Sequence, residues 1–126
     1  MSLISGCLSK KPLLFGGAAM EYYQLRSAGK DIDFLFTPED FFRLAAWYPE
    51  QVAGERIVLG TLECWRQVRG CTYEQLEEGA LETRYYRVLT REKLLLLKAL
   101  AVDQEKNQHD IFLLAKQIQK HLQQEQ

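Results

Sequence analysis

Leu13-Leu14-Phe15-Gly16-Gly17, then thirteen residues (18–30), then Asp31-Ile32-Asp33-Phe34-Leu35-Phe36 is the stretch whose reading decides the fold. Pro12 to Phe15 is apolar enough for a first strand, and the glycine pair ends it. Ala18 to Arg26 follows with good helix formers, and Ala18, Tyr22 and Leu25 share one face. Ser27-Ala28-Gly29-Lys30 breaks that helix, and Asp31 to Phe36 reads as a second strand. Side chains alternate along a strand, so Asp31 and Asp33 point one way while Ile32 and Phe34 point back into a core. Two carboxylates so close repel each other, and a divalent cation is the simplest way to neutralise them. Backbone N–H groups at a glycine turn, meanwhile, can approach phosphate oxygens closely. Either signal alone is weak, because Gly-Gly also makes plain tight turns and strand edges carry acids to discourage pairing.

Outward from this stretch, Thr37-Pro38-Glu39-Asp40 is a helix start, with Thr37 as cap and proline at the first position, and the helix runs to about Tyr48. Pro49 to Glu55 is a polar connection. Arg56 to Trp65 reads as one or two strands interrupted near Gly60, with Glu63 between Leu62 and Cys64. Thr72 and Gln75 have capping-box spacing and open a short helix to Leu81, and Tyr85 to Leu89 makes another strand. Thr90 opens a helix to about Val102, with Leu94, Leu95, Leu96, Leu97 and Leu100 giving a wide buried surface. A polar turn at 103–107 leads to a last helix from Gln108 to about Leu122, with Ile111, Leu114, Ala115, Ile118 and Leu122 on one face, and the two helices form a hairpin.

Composition narrows the classes. A chain of 126 residues, 47% hydrophobic and 26% charged, suits one soluble globular domain. Its net charge of −1 supplies no global positive field to draw in nucleic acid. Cys7, Cys64 and Cys71 are odd in number and form no CxxC pair, against both a disulfide framework and a structural zinc site, and a reducing cytoplasm fits. Leu3-Ile4-Ser5-Gly6-Cys7 has the form of a lipoprotein cleavage box, but no basic residue precedes it and the apolar run is short for an export signal. No run is long enough for a membrane span. The expected location is cytoplasmic.

Phe15-Gly16-Gly17, the gap, Asp31-Ile32-Asp33-Phe34 and then Leu62-Glu63-Cys64 together resemble, in order and spacing, the signature of the nucleotidyltransferase superfamily related to polymerase β. Within it the chain is most similar to small stand-alone nucleotidyltransferases, including those of abortive-infection and toxin-antitoxin systems. Arg87 to Leu94, Lys98 and the stretch Lys106-Asn107-Gln108-His109-Asp110 resemble their C-terminal part. The resemblance implies an α/β (α+β) fold with a mixed, mostly antiparallel sheet of about four or five strands, flanking helices and a C-terminal helical hairpin. One domain would span 1–126, with its core at 12–89 and the hairpin at 90–122.

The chemistry implied is transfer of a nucleoside monophosphate from a triphosphate to a hydroxyl, with release of pyrophosphate. Asp31, Asp33 and Glu63 would be catalytic and would hold Mg²⁺ or Mn²⁺. Gly16 and Gly17 would cradle phosphates, with Lys98 and Lys30, and less directly Arg26, balancing their charge. The acceptor, whether a small molecule, an RNA or a protein, is not written in these residues, and the domain would pair with a second copy or a partner protein to wall its cleft. Glu63 stands where aspartate is commoner in the family, and Asn107 replaces an aspartate of the late element. That leaves a second expectation, a degenerate domain that binds a nucleotide or a partner protein in a two-component system without turnover.

Overall fold

Among the described residues, the chain up to Val88 supplies nine strands, seven of them in one sheet. The structure, a computed structural model, describes residues 8–124, so the cysteine-bearing segment 3–7 lies outside the described residues. The chain divides at the step from Leu89 to Thr90 into two compact units.

In the first unit, β1 (Leu13–Phe15) runs straight into α1 (Gly16–Tyr22), and β2 (Ile32–Leu35) returns antiparallel beside β1. The helix therefore begins at the glycines rather than after them. It also ends four residues early, because Gln24 takes a left-handed φ of 62° and the Leu25 N–H turns back to the Met20 carbonyl. Thr37 Oγ1 accepts the Asp40 N–H at 3.2 Å and opens α2 (Pro38–Trp47). Asp40, fully buried, in turn accepts from the Ser9 N–H and hydroxyl and from the Lys10 N–H, tying the described start of the chain to this helix.

A short 3₁₀ turn and β3 (Val52–Ala53) lead to β4 (Arg56–Leu59) and β5 (Leu62–Trp65), a hairpin closed by Gly60 at φ 65° and Thr61. β6 (Gln67–Val68) and β7 (Cys71–Thr72) form a separate ribbon. The capping box holds, with Gln75 Oε1 accepting the Thr72 N–H at 3.0 Å, yet the helix it opens, α3 (Tyr73–Leu76), is a single turn. β8 (Leu81–Glu82) and β9 (Arg87–Val88) complete the unit, pinned by Arg87, which reaches Glu77 at 3.1 Å and Glu82 at 3.0 Å.

The sheet order is β3-β4-β5-β2-β1-β9-β8, seven strands rather than the four or five expected. Its β2–β5 and β1–β9 pairs are parallel and the rest antiparallel, so the fold is mixed α/β with a mostly antiparallel sheet. Leu13, Leu35, Phe36, Ile57 and Leu89 are fully buried at its centre. The Tyr23 hydroxyl donates to the Leu89 carbonyl at 2.7 Å.

In the second unit, α4 (Arg91–Leu100), capped by Thr90, and α5 (Glu105–Gln124) pack antiparallel as a hairpin. Its apolar stripe is narrower than the leucine run suggests. Leu94 and Leu97 are buried, but Leu96 and Leu100 are exposed, as are Ala115 and Leu122 on α5. Asp110 is buried against Lys98. Among the described residues no helix is long and apolar enough to cross a membrane.

Candidate active site

The parallel ladder between β2 and β5 pairs Ile32 with Leu62, Asp33 with Glu63, Phe34 with Cys64 and Leu35 with Trp65. Because both strands alternate in step, Asp33 and Glu63 emerge side by side on one face, and Ile32, Phe34, Leu62 and Cys64 on the other. On the antiparallel side Phe15 pairs with Asp33, which sets the start of α1 against the same carboxylate. Gly16, at φ 68°, lies so close that a Cβ there would sit 2.7 Å from Asp33 Oδ2. Only glycine combines that φ with that approach.

Two residues that the sequence did not single out organise this face. Trp65 Nε1 donates to Asp33 Oδ1 at 3.0 Å, while the Phe15 ring packs edge-on to the indole at 6.3 Å. Arg56, opposite Trp65 in the β4–β5 register, lays its guanidinium over the indole at 5.4 Å and donates from Nη1 to Glu63 Oε1 at 2.7 Å. The signal for both was available. A two-residue turn at Gly60-Thr61 pairs 59 with 62 and, stepping outward, 56 with 65.

Glu63 is largely buried, and that burial, with the charges of Asp33 and Asp31, pushes its carboxyl above the usual range against the partial opposition of Arg56. Two neighbouring carboxylates thus act on Glu63 here. Asp31 is exposed just before β2, Asp33 is half-buried, and Glu63 is the innermost.

The donor set is all oxygen, which suits Mg²⁺ or Mn²⁺ rather than a softer ion. The described side chains gather no group of three possible ligands close enough to hold a metal. Asp33 and Glu63 nevertheless fit the usual mode for Mg²⁺, which takes one or two carboxylates and completes its shell with water and substrate phosphate. The chemistry of the donor set, two carboxylates in register on one face, is the observation that fits.

The other expected residues are scattered. Gly17 is the second residue of α1, beside Arg26 and Gly29, and Lys30 is exposed in the loop before Asp31. Lys98 belongs to the second unit, where its ammonium sits 3.0 Å from Asp110 Oδ2. Asn107 is buried and donates to the Ala101 carbonyl at 3.0 Å, a helix-joining contact.

On the opposite face of the sheet a cavity of about 440 Å³ opens between Leu14, Phe34, Leu62, Tyr22 and Tyr85. Ile32 lines it and is exposed rather than part of a packed core. Cys64, fully buried with its thiol pushed up to about 12 by burial, is no nucleophile. No protein-family model matches the chain, and neither does any curated protein or solved structure.

Proposed function

We propose that the protein is a metal-dependent nucleotidyltransferase, moving a nucleoside monophosphate from a triphosphate to a hydroxyl acceptor. The observation that supports this best is the in-register pair of Asp33 and Glu63 with Gly16 against it, a dense anionic face beside backbone able to approach phosphate. Asp33 and Glu63, with Asp31 at the rim, would hold Mg²⁺ or Mn²⁺. When bound, such an ion offsets triphosphate charge and polarises the phosphoryl oxygens. Glu63, with its raised affinity for a proton, is the group suited to accept the proton of the attacking hydroxyl. Gly16 and Gly17 would orient the phosphates, and pyrophosphate would leave.

A second possibility is favoured by one contact. Arg56 already occupies Glu63 Oε1 at 2.7 Å, a contact that suits a domain binding a nucleotide or a protein partner without turnover. Incubation of the full chain with each ribonucleoside triphosphate and Mg²⁺, assayed for pyrophosphate and for binding, tests both. Turnover lost in Asp33→Asn supports the enzyme. Binding that depends on Asp33 without pyrophosphate supports nucleotide binding without turnover, and no binding of any triphosphate removes the enzyme and the nucleotide-binding domain, leaving only a domain that binds a protein partner.

A further inference from the structure

We propose that the cavity across the sheet from the carboxylates binds a small aromatic amine, whose ammonium meets Glu21 and Tyr22 at the rim while its ring fills the apolar interior. The inference is independent of the nucleotidyltransferase reading. The strand alternation that puts Asp33 and Glu63 on one face commits Ile32, Phe34 and Leu62 to the other, and Leu14, paired with Phe34, joins them from β1. On α1, Ala18 lines the same space with a single methyl, where a larger side chain would fill it. What remains is about 440 Å³, the size of a small-ligand pocket, and Ile32 on its floor is left 39% exposed.

The lining selects the chemistry of the ligand. Glu21 is the only charged residue among the described residues that line the cavity, and it is exposed. Its Oε1 accepts the Ala28 N–H at a long 3.4 Å, which leaves the carboxylate able to take an ammonium. Tyr22, the next residue and 43% exposed, adds an aromatic ring, and Tyr85 and Tyr86 add two more. The negative face of such a ring attracts a cation and repels an anion, so carboxylate and rings select the same sign of charge. Tyr85 already shows this preference, since the exposed Arg84 guanidinium lies 5.1 Å from its ring centre. That occupied ring assigns the ligand's cation to the Glu21 and Tyr22 side. The hydrocarbon floor requires the rest of the ligand to be apolar, and a flat ring suits a space between tyrosines.

Three probes test it: tryptamine, tryptophol and indole-3-propionate, which share one ring and carry an ammonium, a hydroxyl or a carboxylate. Each is titrated into the full chain labelled at its isoleucine methyls, and the Ile32 methyl signal is followed by nuclear magnetic resonance. Tryptamine is expected to bind about fivefold tighter than tryptophol, the scale of one exposed ion pair, and indole-3-propionate the most weakly. Glu21→Gln is expected to bring tryptamine down to the tryptophol value and to leave tryptophol unchanged. Tyr22→Leu is expected to cost tryptamine about threefold and tryptophol less, as loss of a cation–π contact does. Ala18→Phe, which plugs the cavity, is expected to abolish binding of all three. Should that variant not fold, the substitutions at Glu21 and Tyr22, both exposed positions, decide the matter. Tryptophol binding as tightly as tryptamine, or no effect of Glu21→Gln, overturns the amine. Binding that leaves the Ile32 methyl unmoved, or no binding of any probe, overturns the site. An Ile32 signal that shifts with protein concentration alone means that a second copy covers the cavity, which overturns it too. None of these outcomes bears on the carboxylate face.

Discussion

Asp33 and Glu63 stand in register on two parallel neighbouring strands, carboxylate beside carboxylate, with Arg56 on one and Trp65 on the other. Parallel pairing places them side by side at no cost in backbone geometry, but the cost in charge is real. Like charges in direct register destabilise a sheet, and here Arg56 holds Glu63 and Trp65 holds Asp33.

Glu63→Gln is expected to melt a few degrees higher than wild type at pH 7. Burial first, then Asp33 and Asp31, raises the folded-state pKa of Glu63 above its unfolded value, and Arg56 only partly offsets them. The native state therefore holds this proton more tightly than the unfolded chain does. Stability falls as pH rises from the unfolded value through the raised folded one, and is fully retained below both. The amide carries no charge, so the gap between variant and wild type closes at low pH and is widest above the folded pKa. Melting curves from pH 4 to pH 8 measure it. A wild type more stable than the variant at pH 7 would mean that the Arg56 contact outweighs burial and repulsion together.

Gly16→Ala and Gly17→Ala are expected to part company. Gly16 combines a φ of 68° with a Cβ position 2.7 Å from Asp33 Oδ2. Alanine there costs about 1–2 kcal/mol for the left-handed backbone alone, and it also pushes aside a short carboxylate that Trp65 holds. At Gly17 the nearest atoms, of Arg26 and Gly29, lie 3.4 Å from the Cβ position, which is ordinary contact. Helix propensity then favours alanine by roughly 0.5–1 kcal/mol. Urea denaturation should show the first variant destabilised and the second neutral or slightly stabilised, while both weaken tripolyphosphate binding if these amides meet phosphate.

The elements legible in the sequence are those whose causes are local. The strand, glycine turn, helix and strand from Leu13 to Leu35, the Thr37 cap and the hairpin at Gly60 all rest on residues near one another in the chain. What escaped is short or distant. β3 and β8, with two residues each, carry no period to detect, and the β6–β7 ribbon turns on Arg69 in a left-handed conformation that arginine does not advertise. The early end of α1 has the same cause, since Gln24 does there what glycine usually does. At the site, the two aspartates announce themselves by spacing, whereas Arg56 and Trp65 become visible only after the strand register is worked out. Lys98 reads as a phosphate-facing lysine in the sequence because its partner Asp110 lies on another helix.

That pair supports the last prediction. Lys98 and Asp110 are 3.0 Å apart with side chains 13% and 2% exposed, so either alone would be a charge left in poor solvent. Removing one partner of a buried pair costs about 3–5 kcal/mol, whereas replacing both with apolar residues is often neutral. Lys98→Met and Asp110→Leu are each expected to be strongly destabilised, and the double variant to recover most of the loss, as a double-mutant cycle in guanidinium chloride would show. If Lys98→Met instead keeps full stability and loses tripolyphosphate affinity, the lysine is a phosphate ligand and its pairing with Asp110 contributes little to the fold.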